Sequence, residues 1–409
     1  MPRLSPFAAL RFTSLAGKLE DVIAPPYDVI DADLAGELRS RSPHNAIRLI
    51  LPKGSLDERY GAAATTLEAW KAEGILATDA EPGVYVYRQR YEQGGAPVER
   101  LALFAALDLV PLDRGEVLPH EHTHAGPKKD RLALTLATKT QLSPVFMAGK
   151  DPDSEMLTAL RTATETGDPI ASGCTPDGIH HALWRIAGKS ADELCTLVGR
   201  QPLLIADGHH RYETALEAAR QLGTPSAQQM LVVVVSEQDP GLVIQPTHRT
   251  LTRLPLSLDG TFQERLAAWF VLEPLGHLSP AQAAARAASS PAVLVLVMNG
   301  EAQMLTPKRL GGEEMDDSTA AVAAVQFDRR VIAGLLGTDA DEAAHEGILE
   351  YHRDPNAAVQ QAGAYGAAFL LPPIGLDSLW EATEAGFRLP SKSTYFEPKM
   401  PSGLLFRPI

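Results

Sequence analysis

The chain has 409 residues, 45% hydrophobic and 22% charged, with 51 acidic against 37 basic side chains and a formal net charge of −14. This is globular composition, long enough for two or three domains, and the acidic balance argues against a general nucleic-acid or anionic-membrane surface. No apolar run approaches the roughly 18 residues of a membrane helix. The start, Met1-Pro2-Arg3-Leu4-Ser5-Pro6, lacks the apolar core of a signal peptide. Two cysteines, Cys174 and Cys195, make neither a disulfide framework nor a zinc cluster. A reduced, cytoplasmic protein is expected.

Residues 5–30 read as strand and loop. Ala24-Pro25-Pro26-Tyr27-Asp28 is a rigid extended piece, because a residue before proline avoids the helical region. Tyr27 and Asp28 are candidate ligand contacts, and Asp28 equally suits a turn cap. A helix is expected over 32–41, a strand over 47–51 and an amphipathic helix over 56–73. The alternating run 83–91 reads as a strand that turns at Gly94-Gly95 into a hairpin partner at 100–109.

Residues 117–131, VLPHEHTHAGPKKDR, carry the first chemistry. His120-Glu121-His122-Thr123-His124 matches the zinc-protease pattern, which needs both histidines on one helix face. Pro119, Gly126-Pro127 and the missing apolar stripe argue against that helix. An extended chain would put His120, His122 and His124 on one face. Glu121 is the better general base, since burial raises a carboxylate toward a useful pKa. Lys128, Lys129 and Arg131 are either phosphate contacts or the solvated start of a helix over 130–140 capped by Asp130. A short strand follows at 142–147. His180 and His181 read as helix-start surface residues, and 191–197 as helical.

The richest stretch is Leu203-Leu204-Ile205-Ala206-Asp207-Gly208-His209-His210-Arg211. Four apolar residues read as a buried strand running into a turn, where Gly208 permits a sharp bend. A helix begins by Arg211, its face marked by Ala215, Ala219 and Leu222, and stops at Gly223 and Pro225. Residues 230–235 form the next strand. Helix N-termini present free N–H groups and about half a positive charge. Gly208, His209, His210 and Arg211 there suit phosphate. Asp207 does not suit a bare phosphate, because like charges about 4 Å apart repel by roughly 4 kcal/mol at an effective dielectric of about 20. It is therefore expected to hold a magnesium ion or face a cationic or hydroxylated substrate.

Pro246-Thr247-His248-Arg249 follows a strand over 242–245, and His248 and Arg249 are either substrate contacts or buried structural groups. Residues 261–289 are Ala-rich and read as helical, 292–298 as a strand, 311–317 as an acidic loop, and 327–336 and 340–345 as helices. A further βα unit begins at 351, and 367–371 reads as a strand. In the tail, Tyr395-Phe396 and Leu404-Leu405-Phe406 give apolar anchors, so it is expected to fold back and bring Lys392 or Lys399 to the cleft.

Asp-Gly-His-His-Arg after a strand and opening a helix resembles the signature of free-serine kinases (SerK-like) of the ParB/sulfiredoxin superfamily. Leu118-Pro119-His120-Glu121 is similar to their second motif, which supplies a catalytic glutamate. Nearly the whole chain also resembles a bacterial family of about this length known as a domain of unknown function. That likeness rests on Ala24-Pro25-Pro26-Tyr27-Asp28-Val29-Ile30, Leu142-Ser143-Pro144-Val145-Phe146, Pro246-Thr247-His248-Arg249 and Ser391-Lys392-Ser393-Thr394-Tyr395-Phe396-Glu397-Pro398-Lys399.

These resemblances imply an α+β (mixed α/β) fold with a ParB/sulfiredoxin-like core at 111–254, an N-terminal region 1–110 and a C-terminal α/β region 255–409. They imply a phosphotransferase that uses ATP, ADP or pyrophosphate on a small metabolite, with free L-serine the leading acceptor, or the reverse. Glu121 would be the base and Asp207 would hold magnesium or the substrate amine. Gly208, His209, His210 and Arg211 would bind phosphate, with contacts from His120, Tyr27, Asp28, Arg131, His248, Arg249 and Lys392. No Walker motif or kinase Gly-rich loop is present. The competing readings are a non-catalytic nucleotide-binding switch and a zinc hydrolase on His120 and His124. The oligomeric state stays open, a homodimer included.

Overall fold

The computed structural model describes residues 1–409 apart from 56–57, 123–124, 255–260, 310–318 and 320–321, with backbone alone at 125–127. Helices accompany several sheets, a mixed α+β architecture. The chain divides into two compact units, Met1–Pro119 with Thr123–Val243 and Pro398–Ile409, and His120–His122 with Ile244–Glu397.

The first unit is built on one large sheet. Its strands are β1 (Leu4–Ser5), β2 (Gly83–Gln93), β3 (Ala96–Asp108), β4 (Val117–Leu118), β5 (Val145–Gly149), β6 (Ala171–Cys174), β7 (His180–Ala187), β8 (Leu203–Asp207) and β9 (Gln229–Ser236). Their order is β4-β8-β5-β9-β3-β2-β7-β6, with β1 on β3. Most pairs are antiparallel; β4–β8 and β5–β9 are parallel. The sheet crosses the boundary expected near residue 110, since β3 pairs with β9. Val232, Val233, Val234 and Val235 are fully buried, as is the facing run of β3 from Leu103 to Leu107. Such unbroken apolar strands belong in the middle of a covered sheet.

Four helices matter here: α1 (Ala32–Arg41), α2 (Arg59–Ala72), α3 (Ala125–Thr138) and α4 (His209–Leu222). The tail completes this unit. Leu10 and Phe406 exchange backbone hydrogen bonds, Ser402 pairs with Ala24, and Arg407–Pro408 runs antiparallel to Thr140–Gln141. Met400, Leu404, Leu405 and Phe406 are buried. Arg100, also buried, donates to the Gln89 Oε1 (3.1 Å) and to the Pro398 carbonyl.

In the second unit β10 (His248–Leu251), β11 (Phe270–Gly276), β12 (Leu294–Met298), β13 (Glu301–Pro307), β14 (Leu349–His352) and β15 (Ala367–Leu370) form an antiparallel sheet, ordered β11-β13-β12-β15-β10-β14.

Several expectations are corrected. Ile47–Ile50 is a helical turn, not a strand. Asn45 Oδ1 accepts from the Ile47 N–H at 2.9 Å and starts the turn, and an apolar run alone does not tell strand from buried helix. Helix α3 begins at Ala125, so Asp130 is no cap; it accepts from the Tyr60 hydroxyl at 2.7 Å and pairs with Arg59 and Arg131. His180 and His181 lie on strand β7. The Ala-rich stretch is interrupted by β11, where buried Phe270 and β-branched Val271 pair with β13. The expected loop over 311–317 lies outside the described residues.

Candidate functional site

Strand β8 ends in a bulge. Ile205 faces Met147 and Asp207 faces Phe146, so Ala206 is the extra residue and Asp207 is re-aimed. Gly208 follows with φ +103, a conformation that side-chain-bearing residues rarely adopt. A β-carbon there would lie 2.9 Å from Arg211 Cζ, so glycine also lets the guanidinium close over the turn. Helix α4 starts at His209 and ends at Gly223, again left-handed. His209 and Arg211 are buried, and His210 is half-buried.

The Asp207 carboxylate is held by two cations. Arg211 pairs with Oδ2, and Lys399 Nζ lies 2.5 Å from Oδ1. Arg211 also donates to the Pro144 carbonyl. Burial pushes the Asp207 carboxyl up, but Lys399, then Arg211 and to a smaller extent His209 overcome it, and its pKa falls to about 2. Two cations thus meet one carboxylate beside the α4 N-terminus. Of the two tail lysines, Lys399 reaches Asp207; Lys392 is exposed in a turn of the second unit.

This geometry corrects the magnesium expectation. Both Asp207 oxygens already face cations, and among the described residues no group of three or more His, Cys, Asp or Glu is arranged for a metal. A hard divalent ion requires several oxygen ligands, so the donor set does not fit it. The partner that Asp207 needs comes from the chain itself.

A second face of Arg211 lines a cavity of about 40 Å³, together with Tyr27, Arg131 and residues of α3 and α4. Tyr27 opens a short 3-10 turn, and the Arg131 guanidinium lies 4.0 Å over its ring. Burial, reinforced by Asp28, raises the Tyr27 hydroxyl pKa against the opposing pull of Arg211 and Arg131. Arg131 donates to the Ile50 carbonyl (2.7 Å) and to Asp130 Oδ2 (2.7 Å). Asp28 is exposed. Lys128 pairs with Glu213 at 2.8 Å, and Lys129 is exposed.

The remaining candidates lie in the second unit. His120 is fully buried; its Nε2 is 2.7 Å from the Thr394 hydroxyl, and its carbonyl accepts from the Leu389 N–H. Glu121 forms a parallel bridge with Leu389; its side chain is about one-fifth exposed, with Oε1 3.8 Å from His120 Nε2. The backbone is thus extended through Glu121, and His122 is exposed. Of the histidines in the zinc reading, His120 is buried against Thr394 and His122 is exposed, and His124 lies outside the described residues. His248 is buried, accepts from the Leu371 N–H (3.2 Å) and is pushed by burial to a pKa of about 4. Arg249, also buried, donates to the Thr247 carbonyl between the rings of Phe327 and Tyr351. Thr214 escaped the sequence reading, because no motif marks it, and Thr394 was read only as part of the tail motif.

Among solved structures, a free serine kinase mutant in complex with ADP matches with a TM-score of 0.39 and 14% identity, covering 72% of this chain and 87% of that one. A conserved hypothetical protein from Pyrococcus furiosus matches with 0.37 and 15%, covering 74% and 93%. SbnI with C-terminal truncation from Staphylococcus aureus matches with 0.38 and 13%, covering 73% and 85%. At such TM-scores the likeness carries no functional weight. No curated protein matches the chain significantly. A family model described as "Protein of unknown function (DUF1015)" matches residues 4–330.

Proposed function

The chain belongs to the family described as protein of unknown function (DUF1015), and on that premise we propose that it is a phosphotransferase with a ParB/sulfiredoxin-like core. It moves a phosphoryl group from a nucleotide or pyrophosphate to the hydroxyl of a small metabolite, with free L-serine as leading acceptor, or runs the reverse. The observation that carries this reading is the 207–211 turn, a left-handed glycine at a helix N-terminus with Arg211 and Lys399 outnumbering Asp207. A helix N-terminus, its dipole and the two cations beside it favour an oxyanion. The resemblance of Leu118-Pro119-His120-Glu121 and Asp207-Gly208-His209-His210-Arg211 to free-serine kinase motifs supplies the acceptor. Leu118 and Leu204 are opposed on neighbouring parallel strands.

In this reading the acceptor oxygen bonds to phosphorus as the bond from phosphorus to the donor's leaving oxygen breaks. The acceptor's proton passes to the Glu121 carboxylate. The N–H groups opening α4, with His209, His210 and Lys399, meet the charge on the transferred group, and Asp207 holds Lys399 and Arg211 in position. Positioning and electrostatics are what this chemistry requires of a protein. The test is phosphorus NMR of the protein with L-serine and, separately, ATP, ADP and pyrophosphate, with phosphoserine supplied in reverse. A phosphoserine signal that Glu121→Gln reduces by roughly 100-fold or more supports the assignment. Failure of every donor in both directions refutes it.

A further inference from the structure

The cavity beside Arg211 has a chemistry of its own. Its walls are apolar at Ile50, Leu134, Leu142, Ala215 and Met230, and its polar groups include the hydroxyls of Tyr27, Thr135 and Thr214. Thr214 is 4% exposed, and its Oγ1 has no hydrogen-bond partner. A buried hydroxyl left unpaired costs about 1–3 kcal/mol, so the site suits an occupant that bonds to it. The Tyr27 hydroxyl likewise makes no hydrogen bond among the described residues. By contrast, Gln141 is spent on β9, accepting from the Leu231 N–H and donating to the Gln229 carbonyl, and Ser143 is spent on Ser402.

Charge decides what kind of occupant this is. Arg131 and Arg211 both line the cavity, but each guanidinium already pairs with a carboxylate, Asp130 and Asp207 respectively. The guanidiniums that line it are thus engaged, and what the cavity adds to them is uncharged. It offers apolar walls, hydroxyls that both donate and accept, and a guanidinium stacked on an aromatic ring. Those features suit an uncharged, flat, hydrogen-bonding group. About 40 Å³ is room for roughly three water positions, enough to seat the edge of a planar ring and not the whole of it. Thr214 and Ala215 lie on α4, about 9 Å along the axis from Gly208 at 1.5 Å per residue, and Arg211 is common to the turn and the cavity.

We propose that this cavity takes the edge of the base of a nucleotide whose phosphates lie at the 207–211 turn, so that the phosphoryl donor is a nucleoside phosphate and not pyrophosphate. This rests on reading that turn as the phosphate site. Thr214 and the Tyr27 hydroxyl bond to the base edge, and the aliphatic walls cover its faces.

The test is calorimetric titration of AMP, CMP and pyrophosphate into the wild type, Ala215→Leu and Thr214→Val. Ala215→Leu fills the cavity; Thr214→Val keeps the shape and removes the hydroxyl, and thermal unfolding verifies that both fold. The expected result is a nucleotide affinity reduced roughly tenfold in either variant, with pyrophosphate affinity changed much less. Nucleotide affinity equal in wild type and both variants overturns the base pocket. Binding of pyrophosphate with no nucleotide binding overturns it too, while leaving the phosphate turn standing. Binding of none of the three overturns the phosphate turn and the pocket together.

Discussion

Replacing Lys399 by Met removes one of the two cations on Asp207 while keeping most of the side-chain volume. Both partners are about 13% exposed and 2.5 Å apart, so solvent screens the pair little. A hydrogen bond to a charged group in such a setting contributes about 1.5–3 kcal/mol net, and Arg211 remains to limit the loss. We expect Lys399→Met to destabilise the first unit by about 2 kcal/mol at pH 7, a fall of roughly 4–8 °C in its thermal transition for a unit of this size. The pH dependence carries the sign. Asp207 titrates near 2 in the folded chain against an ordinary value of about 3.9. Its stabilising contribution is therefore complete above that ordinary value and is lost as pH falls from about 4 toward 2. The gap between wild type and variant should shrink over the same range, because protonated Asp207 no longer distinguishes lysine from methionine. Urea unfolding of both proteins at pH 7, 5, 4 and 3 measures it. An absent gap at pH 7, or one that widens on acidification, would refute the assignment of Lys399 as the ion-pair partner of Asp207.

Three further outcomes follow from the geometry. Gly208→Ala forces a β-carbon against Arg211 at φ +103 and should cost about 1–2 kcal/mol from the left-handed backbone alone; a thermal transition equal to wild type would show that the turn is not as described. His181 lies between the hydroxyls of Tyr87 and Thr175, and burial, against the pull of Asp177, lowers its pKa to about 4. Its contribution of roughly 3 kcal/mol is present above the ordinary 6.5 and lost as pH falls from there toward 4, so His181→Gln should flatten stability across that interval and leave the Asp207 range below it unchanged. A chain ending at Glu397 loses buried Met400, Leu404, Leu405 and Phe406. At about 1.5–3 kcal/mol each their loss rivals the whole stability of a domain, and circular dichroism should show the first unit unfolded; cooperative unfolding at the wild-type temperature would contradict the tail's place in its core.

Elements with a local cause are legible in neighbouring residues. The run Leu203–Ala206 had to be a strand. Gly208 had to take the bend, and Gly223 had to end the helix, because apolar periodicity and left-handed glycine act within a few residues. The hairpin through Gly94-Gly95 was legible for the same reason. Where a local cue competed with the pattern, reading failed: one Asn45 hydrogen bond turned Ile47–Ile50 into a helix, and β11 cut through alanines that favour helix. The site was legible as a motif but not as an ion pair. Asp207 in a turn suited to phosphate suggested magnesium or a cationic or hydroxylated substrate, because the cation that meets it, Lys399, lies 192 residues away in sequence. Only the packing of Leu404, Leu405 and Phe406 into the first unit brings that ammonium to Asp207. Likewise, no pattern marks Thr214, whose hydroxyl became notable when tertiary structure buried it without a partner. Short-range hydrogen bonding and periodicity are written in neighbouring residues, whereas charge pairing and cavities depend on which distant segments the hydrophobic core draws together.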